Sequence, residues 1–201
     1  MSVLDNVSRE TLGRLEIYAE LLKKWNPKIN LVSKTTLEEL WERHIEDSLQ
    51  LMAHVGSDTE HLVDMGSGGG FPGLVVSIAA TEANNPKKTT LIESDQRKCA
   101  FMRTVLRETS TKANIITERI EKAVPQGADI LTARALADLP KLLSFAERHL
   151  SRNGTALFLK GKNWREELEA AQETWQFRWN AIESKTNPDS VLLEIGELTR
   201  V

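Results

Sequence analysis

The stretch His61–Gly73, which reads HLVDMGSGGGFPG, decides the fold of this chain. A short apolar run reaches Asp64, glycines then crowd the segment 66–70, and a second apolar run begins at Leu74. Glycine permits the positive φ angles of a sharp turn and leaves no side chain between that turn and a ligand. The order of strand, glycine turn and helix therefore predicts the first βα unit of a nucleotide-binding α/β sheet.

These glycines fit two cofactor motifs. Gly68, Gly70 and Gly73 match G-x-G-x-x-G, which binds the pyrophosphate of a dinucleotide at a helix N-terminus. Gly66, Gly68 and Gly70 match G-x-G-x-G, which resembles motif I of the S-adenosylmethionine-dependent methyltransferases. The dinucleotide register would put Asp64 inside a central strand, where apolar residues are expected. We favour the methyltransferase register, which places Asp64 at the strand tip facing the ligand cleft; a glycine loop without a ligand is the structural alternative.

Composition limits the class of protein. The chain has 201 residues, a net charge of −3, and 26 basic against 29 acidic side chains. This balance argues against broad non-specific nucleic-acid binding but leaves room for a local basic patch. Apolar runs fall short of the ~20 residues that span a bilayer, and the N-terminus does not resemble a signal peptide. The single cysteine, Cys99, excludes an internal disulfide and indicates a reducing cytoplasm.

Two helices are predicted before the glycine loop. Apolar residues at spacings of three and four predict an amphipathic helix over 8–25, ended by Asn26-Pro27 because the residue before proline avoids the α region. A second helix is predicted from a capping box at Thr36 and Glu39 to about residue 54. We expect residues 1–55 to form a helical extension that packs on a methyltransferase domain over residues 56–201.

Strands and helices alternate from residue 61 onward, which predicts an α/β fold with a mostly parallel sheet covered on both faces. We expect a Rossmann-like methyltransferase sheet with the two-helix extension at its N-terminal side. Asn187-Pro188-Asp189 should join the last two strands as a hairpin. The predicted elements are strands at 61–65, 89–93, 113–117, 128–133, 154–160, 177–184 and 190–197, and helices at 72–83, 96–109, 138–150 and 163–175.

Ligands of such a sheet bind beyond the carboxyl ends of its strands, and this rule selects candidate residues. Glu93 follows the second strand, where an acid can hold a ribose diol; a solvated acid at the next helix N-terminus is the alternative. Ile120-Glu121 follows the third strand and should lie near an adenine ring. Arg134 ends the fourth strand, and its five donors suit a phosphate or a cofactor carboxylate, with a structural ion pair as the alternative.

A second cluster lies on the predicted helix before the glycine loop. His44 shares a helix face with Asp47 and with Ser48, which suggests a histidine–acid pair. A catalytic role for His44 and the role of a hydrogen-bonded core histidine are equally compatible with this pattern. The four histidines lack metal-ligand spacing, so no metal is expected. Cys99 lies on the helix after the second strand and is interpreted as a packing residue.

The residues singled out so far belong to a pattern that extends along most of the chain. The sequence resembles the bacterial small-subunit (16S) ribosomal RNA methyltransferase G family, also called glucose-inhibited division protein B. The resemblance covers about residues 12–165. It is carried by Trp25-Asn26, Asn30-Leu31, Arg43-His44, Asp47-Ser48, Asp64-Met65-Gly66, Gly68, Gly70, Phe71-Pro72-Gly73, Glu93, Arg119-Ile120-Glu121, Arg134-Ala135 and Leu159-Lys160-Gly161.

The resemblance implies methyl transfer from S-adenosyl-L-methionine to N7 of one guanine in small-subunit ribosomal RNA, as free RNA or in the 30S subunit. It implies no membrane and no metal partner. It implies cofactor contacts at Gly66, Phe71, Ile120, Glu121 and Arg134, with Glu93 on the ribose. The glycine motif adds Asp64, Gly68 and Gly70 to the predicted cofactor site. Arg134 and His44, selected by their positions, are the candidate catalytic residues. Candidate phosphate contacts are Lys23, Lys24, Lys28, Lys160 and Lys162, together with Arg134.

Three other functions stay open at this stage. A small-molecule methyltransferase would use the same fold and cofactor. A non-catalytic RNA- or nucleotide-binding module would keep the glycine loop without its chemistry. A nicotinamide-dependent oxidoreductase is disfavoured by the register of the glycines.

Overall fold

The computed structural model describes residues 3–201, and all their side chains except those of Asp5, Asn6 and Lys34. The centre of the fold is a seven-stranded sheet. Its strands are β1 (His61–Met65), β2 (Lys88–Ile92), β3 (Asn114–Ile116), β4 (Ala128–Arg134), β5 (Leu150–Lys160), β6 (Trp175–Glu183) and β7 (Val191–Arg200). They lie in the order β3-β2-β1-β4-β5-β7-β6. The first five are parallel, whereas β7 runs antiparallel to both β5 and β6.

The position of β1 explains the sequence of the glycine stretch. All five residues of β1 are buried, because the strand lies between β2 and β4 and is covered on both faces. Strand order reverses between β1 and β4, so the crevice that binds ligands in this kind of sheet lies directly beyond the glycine loop. The predicted α/β fold with a mostly parallel sheet is confirmed.

Helices cover the two faces of the sheet with separate apolar clusters. α4 (Gly73–Ala83) and α5 (Gln96–Glu108) share one cluster with the N-terminal helix α1 (Arg9–Ile29). On the other face, α6 (Leu139–His149) and α7 (Trp164–Gln172) pack on the inner residues of β1, β4 and β5. The predicted helix boundaries are close to these, but β5 begins at Leu150. Gly154 therefore lies inside β5, where a Cβ would come within 2.5 Å of the Ala128 carbonyl oxygen.

The prediction that α1 ends at Asn26-Pro27 is wrong, because the helix continues through Pro27 to Ile29. Proline in the last turn removes only one backbone hydrogen bond, so its cost is small there. Asn26 compensates for that cost: its Oδ1 accepts hydrogen bonds from the backbone N–H groups of Leu31 (2.7 Å) and Val32 (2.9 Å). Asn30 closes the helix in the left-handed region.

The second predicted helix is interrupted, and we call residues 34–54 the broken helix. It consists of α2 (Lys34–Glu38), a π-helical segment (Trp41–Glu46), α3 (Asp47–Leu49) and a 3-10 turn (Gln50–His54). The capping box at Thr36 and Glu39 is also wrong, since Ser33 is the N-cap and its Oγ accepts a hydrogen bond from the Thr36 N–H at 3.2 Å. The apolar spacing is interpreted with the period of an α-helix, and it carries no separate signal for a short π segment, which is rare in proteins.

The N-terminal helices share their core with the sheet domain. Tyr18 and Leu22 of α1 belong to the same buried cluster as Leu74 of α4 and Phe101 of α5. The division into a helical extension over residues 1–55 and a methyltransferase domain over residues 56–201 stays a prediction. Across residues 3–201, no helix has the length and apolar character needed to cross a membrane.

Candidate cofactor site

A cleft of about 1440 Å³ opens at the carboxyl ends of β1, β2, β4 and β5. Seven of the predicted cofactor residues line it together, although they come from four separate parts of the chain. They are Gly66, Gly68, Phe71, Glu93, Ile120, Glu121 and Arg134. The broken helix and the turn between β6 and β7 complete its walls. The cleft lies where the reversal of strand order predicts it.

The glycine loop presents backbone to the cleft. Gly66 and Gly68 have φ angles of +63° and +56°, which other residues rarely adopt. A Cβ on Gly66 would come within 2.5 Å of Leu136 Cδ1. The nearest atom to a Cβ on Gly68 would be the Gly66 carbonyl oxygen at 3.7 Å, so the space beside Gly68 is open. Such a cradle lets a ligand approach the main chain closely.

Asp64 does not face the cleft, contrary to the prediction. Its side chain is completely buried beneath the loop. Its Oδ2 accepts a hydrogen bond from the Gly73 N–H (3.2 Å), and its Oδ1 accepts one from the Thr132 hydroxyl (2.8 Å). Burial raises the pKa of Asp64 to about 6, although these hydrogen bonds oppose the shift. Asp64 thus ties β1 to β4 and α4, and it shapes the loop instead of touching a ligand.

Gly70 also lies beneath the loop surface. A Cβ at this position would come within 2.4 Å of Leu74 Cδ1 and 2.9 Å of the Tyr18 hydroxyl. The hydroxyl of Tyr18 donates a 2.6 Å hydrogen bond to the Gly69 carbonyl oxygen, and its ring lies 5.2 Å from that of Phe71. Tyr18 lies on the apolar face of α1, and its link to the glycine loop is not predictable from sequence because residues 18 and 69 are far apart in the chain.

Glu93 joins the tip of β2 to the glycine loop. Its Oε2 accepts a 3.0 Å hydrogen bond from the Gly68 N–H, and its Oε1 accepts one from the Asp95 N–H at 2.8 Å. The residue is 9% exposed and lines the cleft. Behind it, the Cys99 thiol donates to the Glu93 carbonyl oxygen at 3.3 Å. Cys99 is fully buried, as predicted for a packing residue, and burial raises the pKa of its thiol.

Ile120 forms an apolar part of the wall, with only 8% of its surface exposed. Its carbonyl oxygen accepts a hydrogen bond from Nε2 of the buried His149 at 2.9 Å. Arg148 donates two further bonds, of 3.0 and 2.8 Å, to the Ala123 carbonyl oxygen. The end of α6 thereby holds the segment that contains Ile120 and Glu121. Sequence reasoning missed this role of Arg148 and His149, because no motif connects them to the segment.

Arg134 stacks on Phe71 and reaches the broken helix. Its guanidinium carbon lies 4.8 Å from the centroid of the Phe71 ring. The centroid of the His44 ring lies 4.9 Å from that of the same Phe71 ring. Nη2 of Arg134 donates to His44 Nδ1 at 2.6 Å, and Nη1 lies 3.5 Å from Asp47 Oδ2. His44 and Asp47 thus both contact Arg134, so the histidine–acid pair is really a three-residue arrangement.

His44 is neutral over the physiological pH range. Burial, reinforced by the charges of Arg134 and Arg43, lowers the pKa of His44 to about 3. Because Arg134 can only donate, Nδ1 of His44 is the acceptor and Nε2 carries the proton. A neutral ring with this tautomer is a poor proton acceptor toward the cleft.

The predicted phosphate-binding lysines differ in their surroundings. Lys160 is 9% exposed, its Nζ donates to the Ala137 carbonyl oxygen at 2.9 Å, and it forms an ion pair of 2.5 Å with Glu167. Its predicted phosphate contact is therefore not supported. Lys162 is exposed at the cleft rim, and Lys23, Lys24 and Lys28 are exposed on α1. Lys23 also pairs with Glu20 at 3.0 Å.

These residues fit an adenosine-containing cofactor. The open main-chain cradle beside Gly68 borders the carboxylate of Glu93, and the apolar wall at Ile120 follows. A carboxylate beside backbone N–H groups suits a sugar diol, and an apolar wall suits a purine ring. Among the described residues, no group of His, Cys, Asp or Glu side chains is arranged to hold a metal ion.

The fold is shared with solved methyltransferases. The chain superimposes on a methyltransferase from Geobacter sulfurreducens with a TM-score of 0.62, at 15% identity, covering 92% of this chain and 90% of the other. A SAM-dependent methyltransferase from Aquifex aeolicus gives a TM-score of 0.61 at 14% identity, covering 89% and 97% of the two chains. The fold is therefore that of the Rossmann-like S-adenosylmethionine-dependent methyltransferases.

Sequence relatives identify the family within that class. The chain belongs to the rRNA small subunit methyltransferase G family, whose model matches residues 11–189. It is 53% identical to Ribosomal RNA small subunit methyltransferase G of Ruegeria pomeroyi, covering 98% of this chain and 96% of the relative. The corresponding protein of Gluconobacter oxydans is 48% identical, and the match covers 98% of this chain and 100% of that protein.

Proposed function

We propose that this protein transfers a methyl group from S-adenosylmethionine to N7 of one guanine in small-subunit ribosomal RNA, as free RNA or in the 30S subunit. It acts in the cytoplasm, where ribosomes are assembled. The names of its relatives support the RNA substrate. The observation that carries the proposal is the contact between Glu93 and Gly68, which brings an acid of the kind that can hold a ribose diol beside an open glycine cradle.

Different residues of the chain bind different parts of the cofactor. Glu93 holds the ribose diol, while Gly66 and Gly68 allow close approach to the main chain. Ile120 covers the adenine, and Arg134 faces the carboxylate of the methionine part. Each role fits the residue's observed place in the cleft wall. The cofactor, when bound, supplies the electrophilic methyl group.

Methyl transfer to guanine N7 requires few catalytic groups of the protein. Guanine N7 is an in-plane acceptor without a proton, so no side chain has to remove one. The neutral state of His44 agrees with this, because its pKa of about 3 makes it unsuited as a general base at neutral pH. Holding N7 in line with the methyl group can lower the barrier by about 7–11 kcal/mol. Duplex RNA hides N7 in a deep groove, so the target guanine comes from a loop or a junction.

RNA contacts are proposed at the exposed lysines around the cleft mouth. Lys162 lies at the rim itself, and Lys24 and Lys28 lie near the end of α1. The segment after α1 supports this placement, because Leu31, Val32 and Ser33 line the cleft. Lys23 adds to the same surface, although its ion pair with Glu20 reduces its free charge.

Transfer of tritium from labelled S-adenosylmethionine tests the proposal. Isolated small subunits, free ribosomal RNA and a pool of small metabolites are offered separately, and the product nucleoside is identified by mass spectrometry. We expect label in 7-methylguanosine from one RNA substrate. Label confined to metabolites would instead identify a small-molecule methyltransferase. Cofactor binding without any transfer would identify a non-catalytic binding module. Calorimetric binding of NAD but not of S-adenosylhomocysteine would identify an oxidoreductase.

A further inference from the structure

One carboxylate connects three walls of the cleft. Asp47 begins α3, directly after the π-helical segment, and its side chain is 14% exposed. Its Oδ2 lies 3.5 Å from Arg134 Nη1. Its Oδ1 accepts hydrogen bonds from Gln50 Nε2 (2.8 Å), Thr186 Oγ1 (3.0 Å) and Ser184 Oγ (3.4 Å). The broken helix, the tip of β4 and the turn between β6 and β7 therefore meet at this residue.

We infer that Asp47 is a positioning residue, which orients Arg134 toward the bound cofactor and anchors the β6–β7 turn at the cleft mouth. The inference rests on the proposed function, because it assumes that Arg134 faces the cofactor. It assigns a task to a residue that sequence analysis could place only in a histidine–acid pair.

The environment of Arg134 shows why it needs an anchor. Its guanidinium donates to the Arg43 carbonyl oxygen (3.0 Å) and to His44 Nδ1 (2.6 Å), and both acceptors are neutral. Among the hydrogen-bond partners described for Arg134, Asp47 supplies the negative charge. The Arg134 side chain is 14% exposed, and a buried guanidinium is stable only with such a partner. Three of its five N–H donors are thus directed at the broken helix, which leaves the others for a ligand.

The β6–β7 turn depends on the same carboxylate. Ser184 and Thr186 hydrogen-bond to Asp47, and the Lys185 N–H donates to Gln50 Oε1 at 3.2 Å. Thr186 and Asn187 line the cleft. The turn therefore takes its position from the broken helix, and a change at Asp47 would loosen it together with Arg134.

Calorimetric binding of S-adenosylhomocysteine tests the inference in four forms of the full chain: wild type, Asp47→Asn, Arg134→Met and the double variant. Methionine keeps the packing on Phe71 but removes the guanidinium. We expect Asp47→Asn to weaken binding about tenfold and the double variant to match Arg134→Met within about twofold, because residues that act through one another are not additive. Asp129→Asn is the matched control: this carboxylate also accepts two hydrogen bonds, from the Glu60 and His61 N–H groups, but near the opposite end of β1.

Several results would overturn the inference. Unchanged affinity in Asp47→Asn, or losses that multiply in the double variant, would show that Asp47 does not act through Arg134. An equal loss in Asp129→Asn would show a general effect of destabilisation. If Asp47→Asn fails to unfold cooperatively, Asp47→Glu replaces it with the same expected pattern, because it keeps the charge and changes its reach. Wild-type protein that does not bind the ligand would overturn the proposed function itself. Unaltered binding by Arg134→Met would overturn the inference together with the cofactor contact proposed for Arg134, and would leave the proposed methyl transfer untouched.

Discussion

At the scale of single residues, burial distinguishes two carboxylates at the carboxyl ends of neighbouring strands, Asp64 inside β1 and Glu93 directly after β2. Asp64 has no exposed surface and holds Gly73 and Thr132, whereas Glu93 keeps 9% exposure at the cleft wall. Both acids were predicted to contact the cofactor, because a strand-tip position is readable from sequence. The direction of each side chain was not readable, since it depends on how the loop folds back over β1.

Glu93→Gln tests the ribose contact. Glutamine keeps the size and one acceptor oxygen but loses the charge, so we expect the affinity for S-adenosylhomocysteine to fall about 10- to 100-fold, the worth of charge-assisted hydrogen bonds. Isothermal calorimetry measures it, with Glu108→Gln on the exposed end of α5 as the control. Wild-type affinity in Glu93→Gln would mean that this acid only braces Gly68.

The raised pKa of Asp64 predicts a pH dependence of stability. The pKa of Asp64 is about 6 in the folded protein, compared with an ordinary value of 3.8. Folding is therefore more favourable when this carboxyl is protonated. Its stabilising effect is present below pH 4 and is lost as pH rises through 6. Relative to an Asp64→Asn variant, the wild type should therefore lose about 2–3 kcal/mol of unfolding free energy between pH 4 and 7. Urea unfolding at several pH values measures this difference, and a flat difference would contradict the raised pKa.

At the scale of elements, prediction succeeded where the cause is local. The strand, glycine turn and α4 follow from residues adjacent in sequence, and so does the hairpin turn at Asn187-Pro188-Asp189. Prediction failed at the end of α1, where side-chain hydrogen bonds of Asn26 organise the next turn, and at the broken helix, where a distant contact takes part. Pro27 is tolerated because Asn26 organises the turn that follows. Within the π-helical segment, the Arg43 carbonyl oxygen accepts a hydrogen bond from Arg134, which is about ninety residues away in the chain.

Asn26→Ala tests the turn after α1. The substitution removes the acceptor of the Leu31 and Val32 N–H groups, which are buried, and each unsatisfied donor costs about 1–3 kcal/mol. We expect the free energy of unfolding to fall by about 2–4 kcal/mol in total. Asn30→Gly is the control: Asn30 is exposed and already in the left-handed region, so a change of less than about 1 kcal/mol is expected. Equal effects would refute the role of Asn26.

At the scale of the whole molecule, the mostly parallel sheet and the place of the cleft were predictable, because strands that alternate with helices form parallel α/β sheets whose ligands bind at the carboxyl ends of the strands. The sequence does not predict which lysines form ion pairs and which are exposed to solvent. Lys160 and Lys162 are two residues apart and have similar local sequence, yet one is held by Glu167 and the other is exposed. Lys160 ends β5 and contacts Glu167 of α7 and the Ala137 carbonyl oxygen, whereas Lys162 follows the strand.

This difference gives a paired prediction. Lys160→Met should lower the free energy of unfolding by about 2–3 kcal/mol, less than for a fully buried pair because Glu167 keeps some contact with water. Lys162→Met should change stability by less than about 0.5 kcal/mol. It should instead reduce the slope of log affinity for ribosomal RNA against log salt by about 0.7–0.9. If Lys160→Met lowered the salt slope and Lys162→Met lowered the stability instead, Lys160 rather than Lys162 would be the RNA contact.

The buried position of Cys99 has a practical consequence. As the only thiol in the chain, fully enclosed behind Glu93, it should react slowly with aromatic disulfide reagents, and its reaction rate would report how often α5 opens. A second cysteine introduced at the exposed Asp189 would then take up a fluorophore almost exclusively. The protein is thereby suited to single-site spectroscopic labelling beside the cleft without replacement of its natural cysteine.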